Sequence, residues 1–308
     1  MGLITVKNVQ RKFNDNVVLN GLNLEINEGE FLGILGVSGC GKTTLLNLIA
    51  GALMPTKGEI FFEGKNIRYK KNILKKIGFA TQEGSFFPQF TVEENLVYFG
   101  KLHNMEIGEI KKRVAELLEM LELKNFKDMK AKSLSKGMQR RLEMACALIH
   151  NPKVLLLDEP TGDLDPALRR KILNSLKLYA KEKNITIVLT SQLIDEAGVI
   201  CERVAILDKG KIRDLGSVEE LRKKYCDYDI IRMKTASQKY SKYVNKLKKQ
   251  KNIKKVLIKN GRLVVVCTDK NKIFDKLFKI LRKSKDKLLD LEVTKLTLSK
   301  LFEGLTKF

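Results

Sequence analysis

At 308 residues, with 44% apolar and 31% charged side chains, the chain is long enough for one large domain plus a smaller one, and apolar enough to bury a core. No apolar run approaches the roughly 20 residues of a membrane-spanning helix. The five cysteines, at 40, 146, 201, 226 and 267, and only two histidines offer neither zinc-ligand spacing nor a disulfide framework, which fits a reducing cytosol. The formal charge is +23, and the opening residues carry no apolar signal core, so secretion is not expected.

In chain order, the apolar runs 3–9, 17–19 and 22–26, separated by turn residues, predict short strands, with Asn20-Gly21 as a hairpin-type turn. FLGIL at 31–35 is apolar throughout, as expected of a strand covered on both faces in a mainly parallel sheet. It runs into GVSGCGKT at 36–43 and then a helical stretch over 43–50. From Thr91 to about residue 149 the pattern is helical: Thr91 and Glu94 form a capping box, and 107–123 and 135–149 carry apolar residues at helical spacing. Strand signals return at 154–157, 185–189 and 204–207 with helical stretches between them, the alternation of an α/β domain.

A composition shift at 216–226 marks a boundary. Beyond it the pattern predicts strand 228–233, helix 237–250, strands 254–258 and 262–267 joined at Asn260-Gly261, helix 270–283 and strand 288–293. That βαββαβ order predicts a small α+β domain of the ferredoxin-like, split βαβ kind. A last amphipathic piece covers 296–305.

The glycine loop fits G-x-x-x-x-G-K-[ST] in full, between a strand and a helix, which is the context that gives the pattern meaning. Gly36, Ser38, Gly39, Cys40 and Gly41 can turn backbone N–H groups toward phosphate oxygens, reinforced by the helix N-terminus carrying Lys42, Thr43 and Thr44. Lys42 would neutralise the β- and γ-phosphates of ATP, and the Thr43 hydroxyl would ligate Mg²⁺. VLLLDE at 154–159 brings two carboxylates to the C-terminal end of a buried strand, where ligands bind in open α/β sheets. Asp158 would hold Mg²⁺ and Glu159 would act as general base on the attacking water.

LSKGMQ at 134–139 sets Ser135 and Gly137 at a helix start, a second anion site. Between the two phosphate motifs it resembles the signature sequence of the ABC ATPases. Residues 1–220 are similar to that family's ATP-binding domain, with its helical insert at about 91–150. The resemblance implies a mainly parallel core sheet with an antiparallel β subdomain, an accessory α+β domain at 227–308, and ATP with Mg²⁺ as ligands. It places Gln82 at the position that touches Mg²⁺ or the attacking water and relays motion to a membrane partner. Phe13 falls where the family stacks an aromatic on adenine, although a core role competes. Asp165 lies in the loop that crosses the dimer interface.

Two departures from the family pattern stand out. Lys136 and Met138 alter the signature in a way familiar among ABC-2-type exporter ATPases, and the tail TLSKLFEGLT at 297–306 is similar to that subgroup's. Gln192 stands where the family has a histidine against the γ-phosphate; its amide can donate a hydrogen bond but carries no charge. The resemblance implies an exporter's ATP-hydrolysing subunit, slowed by Gln192 and lying on the cytoplasmic face of the membrane. It would pair with a second ATP-binding subunit and dock on integral permease subunits. Phe86, Phe87 and Phe90 are candidate docking contacts, or pack their loop onto the helical insert. The competing expectation, a soluble ABC ATPase acting on nucleic acid, ribosomes or cofactor assembly, rests on residues 217–308. These carry 26 Lys/Arg against 10 Asp/Glu, a net +16. Charges spread so evenly, with few aromatics between them, predict a solvated surface rather than a nucleic-acid platform.

Overall fold

Phe31–Leu35 is buried at all five positions and forms β3, because it sits inside a six-stranded sheet. The computed structural model describes residues 2–68, 73–81, 84–162, 164–192, 200–225, 228–247, 250–284 and 286–295. The chain divides into two compact units, Met1–Val218 and Glu219–Phe308.

In the first unit, the strands are β1 (Ile4–Phe13), β2 (Asn16–Ile26), β3, β4 (Lys57–Phe62), β5 (Lys65–Asn66), β6 (Ile77–Ala80), β7 (Val154–Asp158), β8 (Thr186–Ser191), β9 (Arg203–Asp208) and β10 (Lys211–Ser217). The main sheet has the order β10-β9-β3-β8-β7-β6. Every neighbouring pair in it is parallel except the β9–β10 edge. A second sheet, β2-β1-β4-β5, is antiparallel. Helix α1 (Lys42–Ile49) follows β3, and α5 (Pro166–Lys183) lies between β7 and β8. Between β6 and β7 come α2 (Val92–Leu102), α3 (Ile107–Met120) and α4 (Lys136–Leu148). Both halves of the Thr91–Glu94 capping box are made. Helix α3 ends at Met120, where the backbone leaves helical geometry at Leu121, three residues before the periodic pattern does.

The amino-terminal strands differ from the expectation. β1 and β2 form one long hairpin whose turn is Asn14-Asp15, with Phe13 paired to Asn16 and Asn14 in the left-handed region at φ 50°. Asn20-Gly21 lies inside β2. There Val9 pairs with Leu22 but Arg11 pairs with Leu19, so β2 carries one extra residue. Gly21 has φ 68°, and a glycine with positive φ suits a bulge as well as a turn. The chain's two histidines, His103 and His150, stack face to face at 3.7 Å. Burial, then the neighbouring His103, pushes His150 down to about 4, so the pair is uncharged at neutral pH.

The second unit holds α6 (Val218–Tyr225, begun in the first), β11 (Asp229–Thr235), α7 (Ser241–Leu247), β12 (Ile253–Lys259), β13 (Arg262–Cys267), α8 (Lys270–Ser284) and β14 (Leu288–Lys295). Its sheet has the order β12-β13-β11-β14, antiparallel at each pairing, which is the split βαβ arrangement. Alternate residues Ile231, Met233, Leu263, Val265 and Cys267 join Tyr243, Leu247, Ile273 and Leu277 of the helices in one core. Buried Tyr240 ties the unit internally: its hydroxyl accepts from Thr235 N and donates to Gly261 O, at 3.1 and 3.0 Å. Residues 296–305, the amphipathic tail, lie outside the described residues. No helix among those described is long and apolar enough to cross a membrane.

Candidate nucleotide-binding site

Three parallel neighbours bring the chemistry to one level. Leu35 at the end of β3 pairs with Ser191, and Asp158 at the end of β7 pairs with Thr190, both on β8. The glycine loop leaves β3 there, and α1 starts at Gly41, which has φ 109°, a backbone that glycine adopts at least cost. Gly36 is required for another reason: a Cβ would lie 2.4 Å from Leu207 O and 2.6 Å from Cys40 Sγ. Burial raises the Cys40 thiol against the pull of Lys42, so this loop cysteine stays protonated.

Lys42 is 5% exposed. Its Nζ donates to Gly36 O at 3.0 Å and Val37 O at 3.2 Å, and stands 3.3 Å from Glu159 Oε1. The ammonium is thus aimed back over its own loop, into a cleft of about 180 Å³. Ser38, Gly39 and Gly41 line the loop side, and Thr43 and Thr44 the start of α1. Glu159 and Gln192 face them.

The two adjacent carboxylates are held differently. Asp158 is 1% exposed. Its Oδ1 accepts a 2.6 Å bond from Thr190 Oγ1, which itself accepts from Glu159 N at 3.0 Å. Asp158 Oδ2 is buried with no hydrogen-bond partner among the described residues. A buried carboxylate oxygen left unpaired is costly, and a hard divalent cation prefers such oxygen ligands. With the Thr43 hydroxyl on α1, which packs against β7, this donor set fits Mg²⁺.

Glu159 turns out of the strand at φ 48°, a left-handed backbone uncommon outside glycine, and so reaches the cleft rather than the core. The Gln192 amide donates to both its carboxylate oxygens, at 2.9 and 3.1 Å. The glycine loop is tied to the same edge by Gly36 N donating to Ser191 O at 3.4 Å.

Other expected residues lie elsewhere. Phe13 is 40% exposed, carries the Arg11 guanidinium 4.4 Å from its ring centroid, and does not line the cleft; Val18 does. Ser135 caps α4 by accepting from Met138 N at 3.3 Å, and the Gln139 amide donates to Ala131 O and Leu134 O, fixing the turn. Neither Ser135 nor Gly137 lines this cleft. Asp165 caps α5, its Oδ1 accepting from Ala167 N and Leu168 N, and is likewise outside it. Gln82 lies outside the described residues. Phe87 and Phe90 are exposed and form an aromatic cluster with Tyr98 of α2, Phe87 and Tyr98 meeting edge to face at 4.7 Å. They both pack onto the helical segment and present apolar surface. The sequence reading gave no role to Thr190 or Val18; a threonine at a strand end is the only signal the former offers.

The solved structure of a dimeric bacterial ABC transporter cassette is 34% identical and superposes with a TM-score of 0.65, matching 70% of this chain and 98% of that one. The chain belongs to the family of ABC transporter ATP-binding subunits. The family's sequence profile, described as ABC transporter, matches residues 19–162. A post-hydrolysis cassette bound to ADP and Pi is also 34% identical, with a TM-score of 0.64. Among curated relatives, the spermidine/putrescine import ATP-binding protein PotA of Clostridium novyi (strain NT) is 37% identical over 219 residues. The Fe(3+) ions import ATP-binding protein FbpC of Escherichia coli O157:H7 is 36% identical over 218. Each alignment covers 71% of this chain, and the chain spans 63% of the length of each relative.

Proposed function

We propose that this ABC subunit binds MgATP in the cleft beside Lys42, hydrolyses it, and uses the cycle to drive a separate membrane permease in the direction of export. The observation that carries the ATPase reading is the convergence of Lys42, Thr43 and Glu159 on one cleft. Loop N–H groups and the start of α1 take phosphate oxygens. Lys42 exchanges Glu159 and the carbonyls of Gly36 and Val37 for the β- and γ-phosphates. Thr43 and Asp158 would hold Mg²⁺, which would neutralise charge building on the phosphates.

Glu159 takes a proton from water as the water oxygen attacks the γ-phosphorus; the bond to the ADP oxygen breaks, and phosphate and ADP leave. Gln192 keeps the Glu159 carboxylate on the cleft side. As a neutral amide it adds no charge to the γ-phosphate, so turnover is slow. Ser135 and Gly137 lie outside this cleft's lining and serve the nucleotide of a second ATP-binding subunit. ATP then closes the dimer, because only the closed state contacts the γ-phosphate from both sides. The dimeric cassette with 34% identity supports that pairing.

Gln82 relays the state of the site to the permease, with Phe87 and Phe90 as docking contacts and the subunit on the cytoplasmic face. Lys136, Met138 and the 297–306 tail favour export. Import is the second reading, favoured by the names of the two curated relatives, whose matching segment leaves out almost a third of this chain. Purification from native membranes in mild detergent is expected to bring down an integral membrane protein. Inverted vesicles supplied with MgATP outside should then accumulate the solute; depletion would assign import. Recovery with nucleic acid and no membrane protein would overturn both.

A further inference from the structure

On α8, Ile273, Leu277 and Ile280 are buried in the core of the second unit. Lys276, Lys279 and Lys283, spaced i, i+3 and i+7, form the neighbouring stripe. They face an open cavity of about 330 Å³, to which the end of α7 contributes Lys246. Its apolar floor is Leu247 and Ile280, and Gln250 lies on the rim. Lys276 donates to Gln250 Oε1. Among the described residues no carboxylate pairs with Lys246, Lys279 or Lys283, whereas Lys272, one turn away on the same helix, pairs with Asp269 at 3.3 Å.

Four ammonium groups around one hollow repel each other, and like charges at i, i+3 or i+4 destabilise a helix. An anion that sits among them reverses the sign of that interaction. Lysine is a point-charge partner for phosphate, and three uncompensated charges match more negative charge than one carboxylate or chloride carries. The volume is at the small end of ligand sites, and the apolar floor suits a short carbon skeleton.

We propose that the hollow between α7 and α8 binds a small ligand bearing at least two phosphate groups, either a free phosphate ester or the headgroup of an anionic lipid. This site lies wholly within the second unit and shares no lining residue with the nucleotide cleft.

Titration calorimetry of the full chain with inorganic pyrophosphate, run in parallel on Lys42→Ala and on Lys279→Gln/Lys283→Gln, tests it. The expected result is binding that survives Lys42→Ala and weakens at least tenfold in the double lysine variant, with unchanged circular dichroism. Sedimentation with phosphatidylcholine vesicles containing cardiolipin reads the second source. Vesicle binding lost in the double variant assigns the lipid headgroup, and pyrophosphate binding without vesicle binding assigns a free ester. Neither ligand bound, or both bound equally by the double variant, overturns the proposal. So does a single-stranded oligonucleotide that binds through the same lysines far more tightly than pyrophosphate and with a steep salt dependence.

Discussion

The nucleotide cleft and the lysine hollow are both cationic, and they manage charge in opposite ways. Lys42 is buried and has a complete set of internal partners: two loop carbonyls and the Glu159 carboxylate. Lys246, Lys279 and Lys283 are exposed and rely on solvent. A buried ammonium must be paired, because an unpaired charge away from water is strongly disfavoured. On the proposed function, phosphate enters the cleft by exchanging partners, so that each partner there is both structural and chemical. Exposed lysines need no stand-in, so their ligand contributes only on binding. Substitutions in the cleft should accordingly disturb turnover and stability, whereas substitutions in the hollow should disturb ligand binding alone.

The sharpest test of the cleft is the general base proposed for it. Glu159→Gln keeps the size and the reach to Gln192 but cannot take the proton. Steady-state phosphate release is expected to fall by about 10²–10⁴-fold, the usual contribution of general base catalysis, while equilibrium ATP binding is retained. Hydrolysis at the parental rate would remove Glu159 from its role and leave the cleft as a binding site.

Next in size is Thr190→Val. It removes the donor to Asp158 Oδ1 and the acceptor for Glu159 N together, inside a fully buried position. Leaving such groups unpaired costs about 1–3 kcal/mol, a shift of several degrees in Tm for a unit of this size. The same change frees Asp158 to rotate, so ATP binding should lose part of its dependence on Mg²⁺. A variant with parental Tm and parental Mg²⁺ dependence would mean that Asp158 is positioned by the strand alone.

Thr190 also marks where the sequence stopped being legible. The sequence offers Lys42, Asp158 and Glu159 as candidates because phosphate chemistry demands those residue types in a fixed local order beside a strand and a helix. Thr190 is useful only because β7 and β8 pair in the register that sets it opposite Asp158, and no local pattern encodes that pairing. Asn20-Gly21 misled for a related reason: positive φ at glycine serves a bulge or a turn, and the partner strand decides which. Phe13 is exposed with the Arg11 guanidinium over its ring, outside the lining that Val18 joins. In the second unit, the strand and helix periods gave the βαββαβ order directly. The hollow stayed hidden because Lys246 and Lys279 are 33 residues apart in the sequence and meet only when α7 packs beside α8.

Gln192→His asks whether the amide limits the cleft. A histidine at that position can still donate to Glu159, and when protonated it forms a charge-assisted bond to phosphate oxygen. Such a bond exceeds a neutral one by on the order of 1 kcal/mol, so kcat should rise roughly threefold to tenfold, more at pH 6 than at pH 8. An unchanged rate with a flat pH profile would show that another step limits turnover.

The smallest effect belongs to the hollow, and its smallness is what distinguishes the two regions. Lys279→Gln/Lys283→Gln removes two exposed charges four residues apart on α8, which relieves repulsion worth a few tenths of a kcal/mol at low salt and removes no hydrogen bond among the described residues. Thermal unfolding without added anion should be unchanged or raised by a degree or so, with the difference vanishing at high salt as screening sets in. ATP turnover should stay at the parental level, since neither lysine lines the nucleotide cleft. A marked loss of stability would mean that these ammonium groups have internal partners after all, as Lys42 does, and the contrast between the two regions would fail at that point.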